Sequence, residues 1–260
     1  MIVYLIISFI ACLVGAICGI GGGVMVRPIL DLFRWTSVAT ISFFTSCMVL
    51  AMTCWSVGRS IIAKDKIIKL KDITPLAIGA AAGGVIGSNI FNLIKNYFTN
   101  HDLVGSVQSA LLMLVSIAVL LYSLFKEKIK PHHLTDSFSH IIIGLVIGVA
   151  SSFLGIGGGH INLVVLYFFF GMNSKEAAAN SLYVILISKI TQLGATAVTG
   201  NIPEFDWGSL NLMILGAIVG SAVGRVISKR ISNKGVDRLF NTLMVLVIII
   251  SGYNIWQYLV

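Results

Sequence analysis

Two oligoglycine motifs stand at matching positions in the two halves of this chain. Each reads Gly-Ile-Gly-Gly-Gly, at 19–23 and at 155–159, and each lies between a longer and a shorter apolar segment. A helix that breaks at glycines inside a bilayer leaves backbone N–H groups unpaired, which is tolerated only where the break faces protein or a water-filled cavity. Paired breaks in two repeats are the best sequence indication of a transporter's binding site. The motifs therefore predict a duplicated membrane protein with a site near mid-membrane.

Composition agrees with insertion into a membrane. Hydrophobic residues make up 57% of the 260 residues and charged residues only 11%. The mean hydropathy is +0.97, a balance that an ordinary soluble domain does not need. The net charge of +8 does not indicate a nucleic-acid partner, because the basic residues lie in short loops where they set orientation. The first charged residue is Arg27, so no cleaved signal peptide is expected.

The chain is predicted to contain two copies of one unit, 1–125 and 137–260, joined by a polar cytoplasmic linker at 126–136. Each unit is expected to be all-α, with a glycine-broken, re-entrant or V-shaped helix pair followed by three transmembrane helices. The predicted segments are 2–34 (broken), 37–58, 72–95 and 103–125, then 137–171 (broken), 175–199, 207–230 and 235–258. Two Gly-x-x-x-Gly-x-x-x-Gly ladders correspond between the units and predict close helix packing. They are Gly79, Gly83 and Gly87, and Gly216, Gly220 and Gly224.

The distribution of basic residues favours an inverted relation between the units. Four crossings in each half would divide the basic residues about evenly between the two sides, against the positive-inside rule. Three crossings in each half place the main basic clusters together on the cytoplasmic side. These clusters are 59–71, 126–130, 175 and 225–238. Segment 160–171 also rises only about 18 Å as a helix, against a hydrocarbon core of about 30 Å. Inverted repeats with both termini external are therefore predicted.

With these motifs in view, the chain resembles the sulfite exporter TauE/SafE family over nearly its whole length. The resemblance is carried by Gly15-Ala-Ile-Cys-Gly-Ile-Gly-Gly-Gly23 with Pro28, by Ser152-Phe-Leu-Gly-Ile-Gly-Gly-Gly159, and by Ala178-Ala-Asn-Ser181. It implies a multi-pass transporter in the plasma (inner) membrane of a prokaryote. The implied substrates are small sulfur-containing or organic anions such as sulfite, sulfonates and sulfoacetate. Members differ in substrate and direction.

The glycines themselves are the first candidate site residues. A half-helix that restarts after each break, near Val24 or His160, presents free N–H groups and the positive end of its dipole, which favour an anion. Alternatively, the glycines only permit a sharp turn and close helix approach. The candidates are Gly21, Gly22, Gly23, Gly157, Gly158 and Gly159.

Two basic residues could supply a counter-charge. Lys189 lies near the middle of segment 175–199, where a lysine costs about 2.5–3.5 kcal/mol to insert and usually faces a cavity or a partner. It could neutralise a bound anion or form a structural ion pair. Arg27 could make two parallel N–H contacts to an oxyanion. An i,i+4 pair between Arg27 and Asp31 explains it equally well.

Polar residues near the breaks complete the candidate site. His160 could bind the anion or take up a proton, or it could be a packing residue, and Asn162 stands beside it. Uncharged donors come from the span after each break, where interhelical hydrogen bonding alone would also explain them. They are Thr45, Ser46, Asn180 and Ser181.

The predicted function is a secondary transporter that favours export and binds an anion between the half-helix N-termini, with alternating access. An anion channel or facilitator lined by the same residues is the alternative. A coupling proton could use His160, Asp31 or Glu176. No Walker A pattern or cofactor motif appears, and His132 and His133 show no metal-ligand spacing. The other expected partner is the lipid bilayer, and no enzyme activity is expected.

Overall fold

The chain is almost entirely helical in a computed structural model, which describes residues 2–33, 36–65, 67–97, 101–134, 136–154, 158–200 and 202–259. The helices of this described part are α1 (Ile2–Cys18), α2 (Gly23–Phe33), α3 (Val38–Ile62), α4 (Leu70–Tyr97), α5 (His101–Phe125), α6 (Ser137–Phe153), α7 (Gly159–Phe170), α8 (Ser174–Val198), α9 (Trp207–Arg230) and α10 (Asn233–Leu259). A 3₁₀ turn follows α5 at Lys126–Lys128. The predicted all-α class is confirmed.

Six helices of the described chain are long and apolar enough to cross a membrane, namely α3, α4, α5, α8, α9 and α10. The other four form two consecutive short pairs. In the first pair, α1 ends at Cys18 and α2 begins at Gly23, so the predicted break at the first motif is confirmed. In the second pair, α6 and α7 flank positions 155–157, which lie outside the described residues. The largest difference from the predicted spans is at the end of α3, expected at residue 58 and found at Ile62.

Side-chain caps fix where several helices begin. Ser37 caps α3, Asp136 caps α6 and Asp206 caps α9, each by accepting hydrogen bonds from free N–H groups of the first turn. Asn173 and Glu176 form a reciprocal capping box at the start of α8. Such caps satisfy donors that the helix itself cannot. The caps at Ser37 and Asn173 set the starting positions of α3 and α8, two of the helices that border the candidate site.

The glycine ladders pack where the sequence predicts close contact. A Cβ atom at Gly83 of α4 would overlap the Leu145 carbonyl of α6, and one at Gly220 of α9 would overlap the Phe9 carbonyl of α1. Small residues let helix backbones approach in this way. The predicted packing role of both ladders is confirmed, and the first helix of each unit lies against the ladder of the other unit.

Helices at equivalent positions of the two units make equivalent contacts. Helix α4 packs on α6 and α8, as α9 packs on α1 and α3. Helix α2 packs on α3 and α10, as α7 packs on α8 and α5. The pairs α3–α8 and α5–α10 join the units directly. These contacts support a pseudo-two-fold arrangement, while the inverted orientation of the units and their boundaries stay a prediction.

Ion pairs join the basic clusters at one end of the molecule. Arg225 Nη2 lies 2.6 Å from Asp65 Oδ2, and Lys126 Nζ lies 2.6 Å from Asp237 Oδ1. Each pair connects two of the clusters that the charge distribution places on the cytoplasmic side. The contacts support that assignment, and the direction of insertion stays a prediction.

Candidate functional site

The first glycine break is tightly packed. Gly21 has a φ of +64°, a conformation that side chains rarely adopt. The N–H of Gly22 points at the sulfur of Met52 at 3.5 Å, and a Cβ atom at Gly22 would lie 2.9 Å from the Cys12 sulfur of α1. Gly23, the first residue of α2, is also buried. The start of α2 therefore lies against α1 and α3.

The first break contacts the start of α7, which follows the second break. A Cβ atom at Gly159, the first residue of α7, would overlap the Ile20 carbonyl of the first break. The hydroxyl of Ser181 donates to the Gly159 carbonyl at 3.4 Å, which ties α8 to the start of α7. A Cβ atom at Gly19 would in turn overlap the backbone of Ala178 in α8. The predicted site residues Gly159 and Ser181 thus take part in the contact between the breaks.

Lys189 is a buried cation beside this contact, with only 4% of its surface exposed. Its ammonium donates to Ser46 Oγ at 3.1 Å and to Gln192 Oε1 at 2.6 Å. Among the described residues it forms no ion pair. An ammonium carries three N–H donors, so one donor remains for a ligand. A buried charge without a partner is costly, and an anion would remove that cost.

Gln192 connects Lys189 to two serines on other helices. Its amide nitrogen donates to Ser88 Oγ of α4 at 2.7 Å and to Ser152 Oγ of α6 at 2.8 Å. The two serine oxygens lie 2.7 Å apart. One hydroxyl proton serves the serine–serine bond, so the other is free to donate to a ligand. The network fixes the orientation of the Gln192 amide and hence the position of the Lys189 ammonium.

These side chains line a cavity of about 200 Å³, which we name the Lys189 cavity. It is bordered by the first part of α3, the later parts of α4 and α8 and the end of α6, and it reaches the α8–α9 loop at Pro203. Besides Lys189, its polar lining includes Ser46, Ser88, Asn89, Ser152, Gln192 and Thr196. None of the described residues that line it is acidic. The cavity therefore offers one positive charge and several neutral donors.

The start of α7 extends this cavity. A smaller hollow of about 20 Å³ shares Ser152, Lys189 and Gln192 with it and is completed by Ser151 and Asn162. Asn162 lies in the first turn of α7. The positive end of the α7 dipole therefore acts on the same space as the Lys189 ammonium.

Gly158 and His160, at the start of α7, are not among the residues that line the Lys189 cavity or the smaller hollow. Gly158 is the N-cap of α7 and has a φ of +75°. His160 is fully buried, and neither of its ring nitrogens has a hydrogen-bond partner among the described residues. His160 does not line either hollow. The candidate Gly157 lies outside the described residues.

Arg27 lies away from the Lys189 cavity. Its guanidinium donates to the Leu154 carbonyl beyond α6 and to Gln108 Oε1 of α5. Its Nε lies 3.7 Å from Asp31 Oδ2, so the i,i+4 pair that the sequence offered as an alternative is present. Arg27 is buried, and these three partners replace the water that would otherwise solvate its guanidinium. Its guanidinium holds the segment after α6 against α2 and α5.

Thr45 and Asn180 also serve structure rather than line the cavity. The hydroxyl of Thr45 donates to the Ile41 carbonyl of its own helix at 2.9 Å. The Asn180 amide nitrogen donates to the Ile67 carbonyl at 3.0 Å, and its oxygen accepts from the Lys69 N–H at 2.9 Å. Asn180 thus pins the α3–α4 loop to α8. Of the predicted polar residues, Ser46 and Lys189 line the Lys189 cavity, and Asn162 lines the smaller hollow that shares Lys189 with it.

The sequence analysis did not single out Gln192, Ser88, Asn89 or Thr196. A signal for part of this set was present on α8, because Lys189, Gln192 and Thr196 follow one another at spacings that place them on one helix face. The serine and asparagine of α4 follow the Gly79–Gly87 ladder and carry no comparable signal. Among the described residues, no group of three or more His, Cys, Asp or Glu side chains could hold a metal ion.

Comparisons with known proteins find one matching family and two similar membrane transporters. The profile of the family described as sulfite exporter TauE/SafE matches residues 4–250. The chain is 23% identical to the probable membrane transporter protein YunE of Bacillus subtilis, over 95% of each chain. It is 28% identical to a second probable membrane transporter protein, from Methanocaldococcus jannaschii, over 92% of this chain and 91% of the relative. No solved structure matches it.

Proposed function

Because this chain belongs to the sulfite exporter TauE/SafE family of multi-pass membrane transporters, we propose that it carries small anions across the membrane through the Lys189 cavity. The substrates are sulfite, sulfonates or related organosulfur anions, and the direction is export. The protein acts as a secondary transporter with alternating access in a prokaryotic inner membrane, with both termini external.

One observation carries this proposal: the buried ammonium of Lys189 has no carboxylate partner in the part of the chain that the structure describes. A cation would be repelled by it, and a neutral solute would leave its charge uncompensated. A small oxyanion would accept the third ammonium donor and one serine proton, and the nearby end of the α7 dipole would favour the same charge. The cavity of about 200 Å³ has room for such a molecule.

Ligand-induced thermal stabilisation tests this proposal. Purified protein is heated in the presence of sulfite, sulfate, thiosulfate, sulfonates or short carboxylates. A ligand at about 100 times its Kd stabilises the native state by about 2.7 kcal/mol, which raises the melting temperature. We expect at least one sulfur oxyanion to stabilise the protein and Lys189→Gln to abolish the effect. Lys130→Gln, at an exposed residue of the linker, is the control and should keep it.

One outcome for Lys189→Gln would contradict the proposed binding site. If Lys189→Gln keeps both the full thermal shift and the sulfite flux of the unmodified protein, the anion binds elsewhere. Sulfite flux through reconstituted liposomes also separates a carrier from a channel. Saturable flux at low turnover supports the carrier, and single-channel currents support the alternative.

A further inference from the structure

A second cavity, of about 300 Å³, lies at the opposite ends of α3 and α8. On α3, Ala39 near the start lines the Lys189 cavity, whereas Ser60 near the end lines the second cavity. On α8 the order is reversed, because Lys175 near the start lines the second cavity and Thr196 near the end lines the Lys189 cavity. The two hollows therefore lie at opposite ends of the molecule. We name the second one the Arg225 cavity.

Equivalent residues of the two repeats line the two cavities. The shift that aligns the glycine motifs also pairs lining residues of α3 with lining residues of α8. It matches Ala39, Ser42, Phe43 and Ser46 with Lys175, Ala178, Ala179 and Leu182. In the other direction it matches Ser152, Gln192 and Thr196 with Ala16, Ser56 and Ser60. The Arg225 cavity is thus the duplicate of the Lys189 cavity.

The Arg225 cavity also has the charge to attract an anion. Among the described residues, the basic side chains of Lys175, Arg225 and Lys229 line it together with the acidic side chain of Asp65. Ser56 is 5% exposed, and its hydroxyl has no partner among the described residues. A concave surface with an excess of one charge raises the local concentration of the opposite ion.

Two apolar side chains lie between the cavities, and they are also repeat equivalents. Val49 of α3 and Ile185 of α8 are 2% and 1% exposed. Both flank Gly21, since a Cβ atom there would lie 3.3 Å from Val49 Cγ1 and 3.4 Å from Ile185 Cδ1. Val49 follows Ser46 by about one helical turn, and Ile185 follows Leu182 by the same spacing.

We propose that the Arg225 cavity is the other mouth of the anion path, and that Val49 and Ile185, closing on Gly21, form the barrier between the mouths. This inference rests on the proposed function. Along α3, the segment from Ser46 to Ser56 measures about 15 Å at about 1.5 Å per residue. The two hollows therefore leave only about half of a hydrocarbon core of about 30 Å closed.

Labelling of single cysteines tests the two mouths. In a full-length variant whose four native cysteines are replaced by alanine, Thr196→Cys places a thiol in the Lys189 cavity and Ser60→Cys places one at the equivalent position of the Arg225 cavity. In sealed liposomes of known orientation, a membrane-impermeant maleimide should reach the two thiols from opposite sides. Labelling of both from the same side, or no labelling of Ser60→Cys in detergent, would overturn the second mouth.

Removal of side-chain volume tests the barrier. Val49→Ala combined with Ile185→Ala should turn saturable flux of radiolabelled sulfite into flux that no longer saturates with concentration. The matched control removes the same atoms from buried sites away from the cavities, with Val247→Ala and Ile147→Ala, and should keep saturation. Val49→Phe with Ile185→Phe should stop flux while the sulfite-induced thermal shift remains.

These outcomes separate the barrier from the proposed function. If the alanine pair keeps saturable flux and Lys189→Gln still abolishes sulfite binding, the barrier is wrong and the function stands. If the thiols label from opposite sides but neither sulfite nor any other anion of the panel binds, the function fails, and with it the assignment of this path to anions.

Discussion

At the scale of single residues, the Lys189 ammonium depends on Gln192 for its position. The Gln192 amide accepts from the ammonium and donates to Ser88 and Ser152, so its loss would leave buried donors and acceptors unpaired, at about 1–3 kcal/mol. We expect Gln192→Leu to weaken sulfite binding by about tenfold or more, measured by thermal shift or calorimetry. Asn211→Leu, at an exposed residue of α9, is the control. An unchanged Kd in Gln192→Leu would contradict the role of this amide.

Arg27 provides a second prediction at this scale, on stability. Removal of its guanidinium leaves the buried Asp31 carboxylate without its cation, and breaking a buried pair in this way costs about 3–5 kcal/mol. Arg27→Leu should therefore unfold at a lower temperature, and Arg27→Leu combined with Asp31→Leu should recover part of the loss. If Arg27 instead contacted the substrate, the double variant would be stable but unable to bind sulfite.

At the scale of helices, the ladders of α4 and α9 set the distance to α6 and α1. Gly83→Ala places a methyl group on the Leu145 carbonyl, whereas a Cβ atom at the neighbouring Gly84 meets no atom of a described residue within 4 Å. We expect Gly83→Ala to lower the melting temperature and Gly84→Ala to leave it unchanged or raise it, because alanine favours helix over glycine by about 1 kcal/mol. Equal melting temperatures for the two variants would show that the α4–α6 contact tolerates separation.

The helices and ladders were predictable because their causes are local. A long apolar segment indicates a membrane-spanning helix, and glycine ends or interrupts a helix. Small residues spaced four apart form a face on which another helix packs closely. The position of Lys189 beside a cavity was predictable because a charged side chain near mid-membrane is costly and usually faces a cavity or a partner. The hydrogen-bond network around Lys189 was not, since Ser46, Ser88 and Ser152 come from three other helices whose facing sides the sequence does not specify. For the same reason the sequence could not show that the Asn180 side chain would form hydrogen bonds with the backbone of the α3–α4 loop.

The start of α2 shows a further limit of sequence reasoning. The two glycine motifs are identical, so the sequence predicts the same chemistry at both. The structure packs Gly22 of the first motif against Met52. Next to Gly158 of the second motif lie Ser151 and Asn162, which line the smaller hollow. The difference arises from the side chains around each motif, since Ser151 stands in the second unit where Gly15 stands in the first.

At the scale of the whole molecule, the inverted arrangement makes a prediction about exposure. A variant without native cysteines that carries Lys128→Cys should be labelled only from the cytoplasmic side of intact cells or oriented vesicles. A second single-cysteine variant, with Glu204→Cys in the same background and Lys128 unchanged, should be labelled only from the external side. Labelling of both positions from one side would contradict the inverted orientation, whereas the all-helical fold would be unaffected.

The ammonium of Lys189, which forms no ion pair with any residue that the structure describes, has an electrical consequence for the complete transport cycle. With a monovalent anion bound, the site is neutral, and the membrane voltage does no work as the site changes the side it faces. Without the anion, the same movement carries one positive charge, at about 2.3 kcal/mol per 100 mV for a full crossing. A potential that is negative inside then draws the vacant site inward and so powers outward delivery of the anion. Efflux from vesicles should accelerate when the interior is made more negative with a potassium gradient and valinomycin.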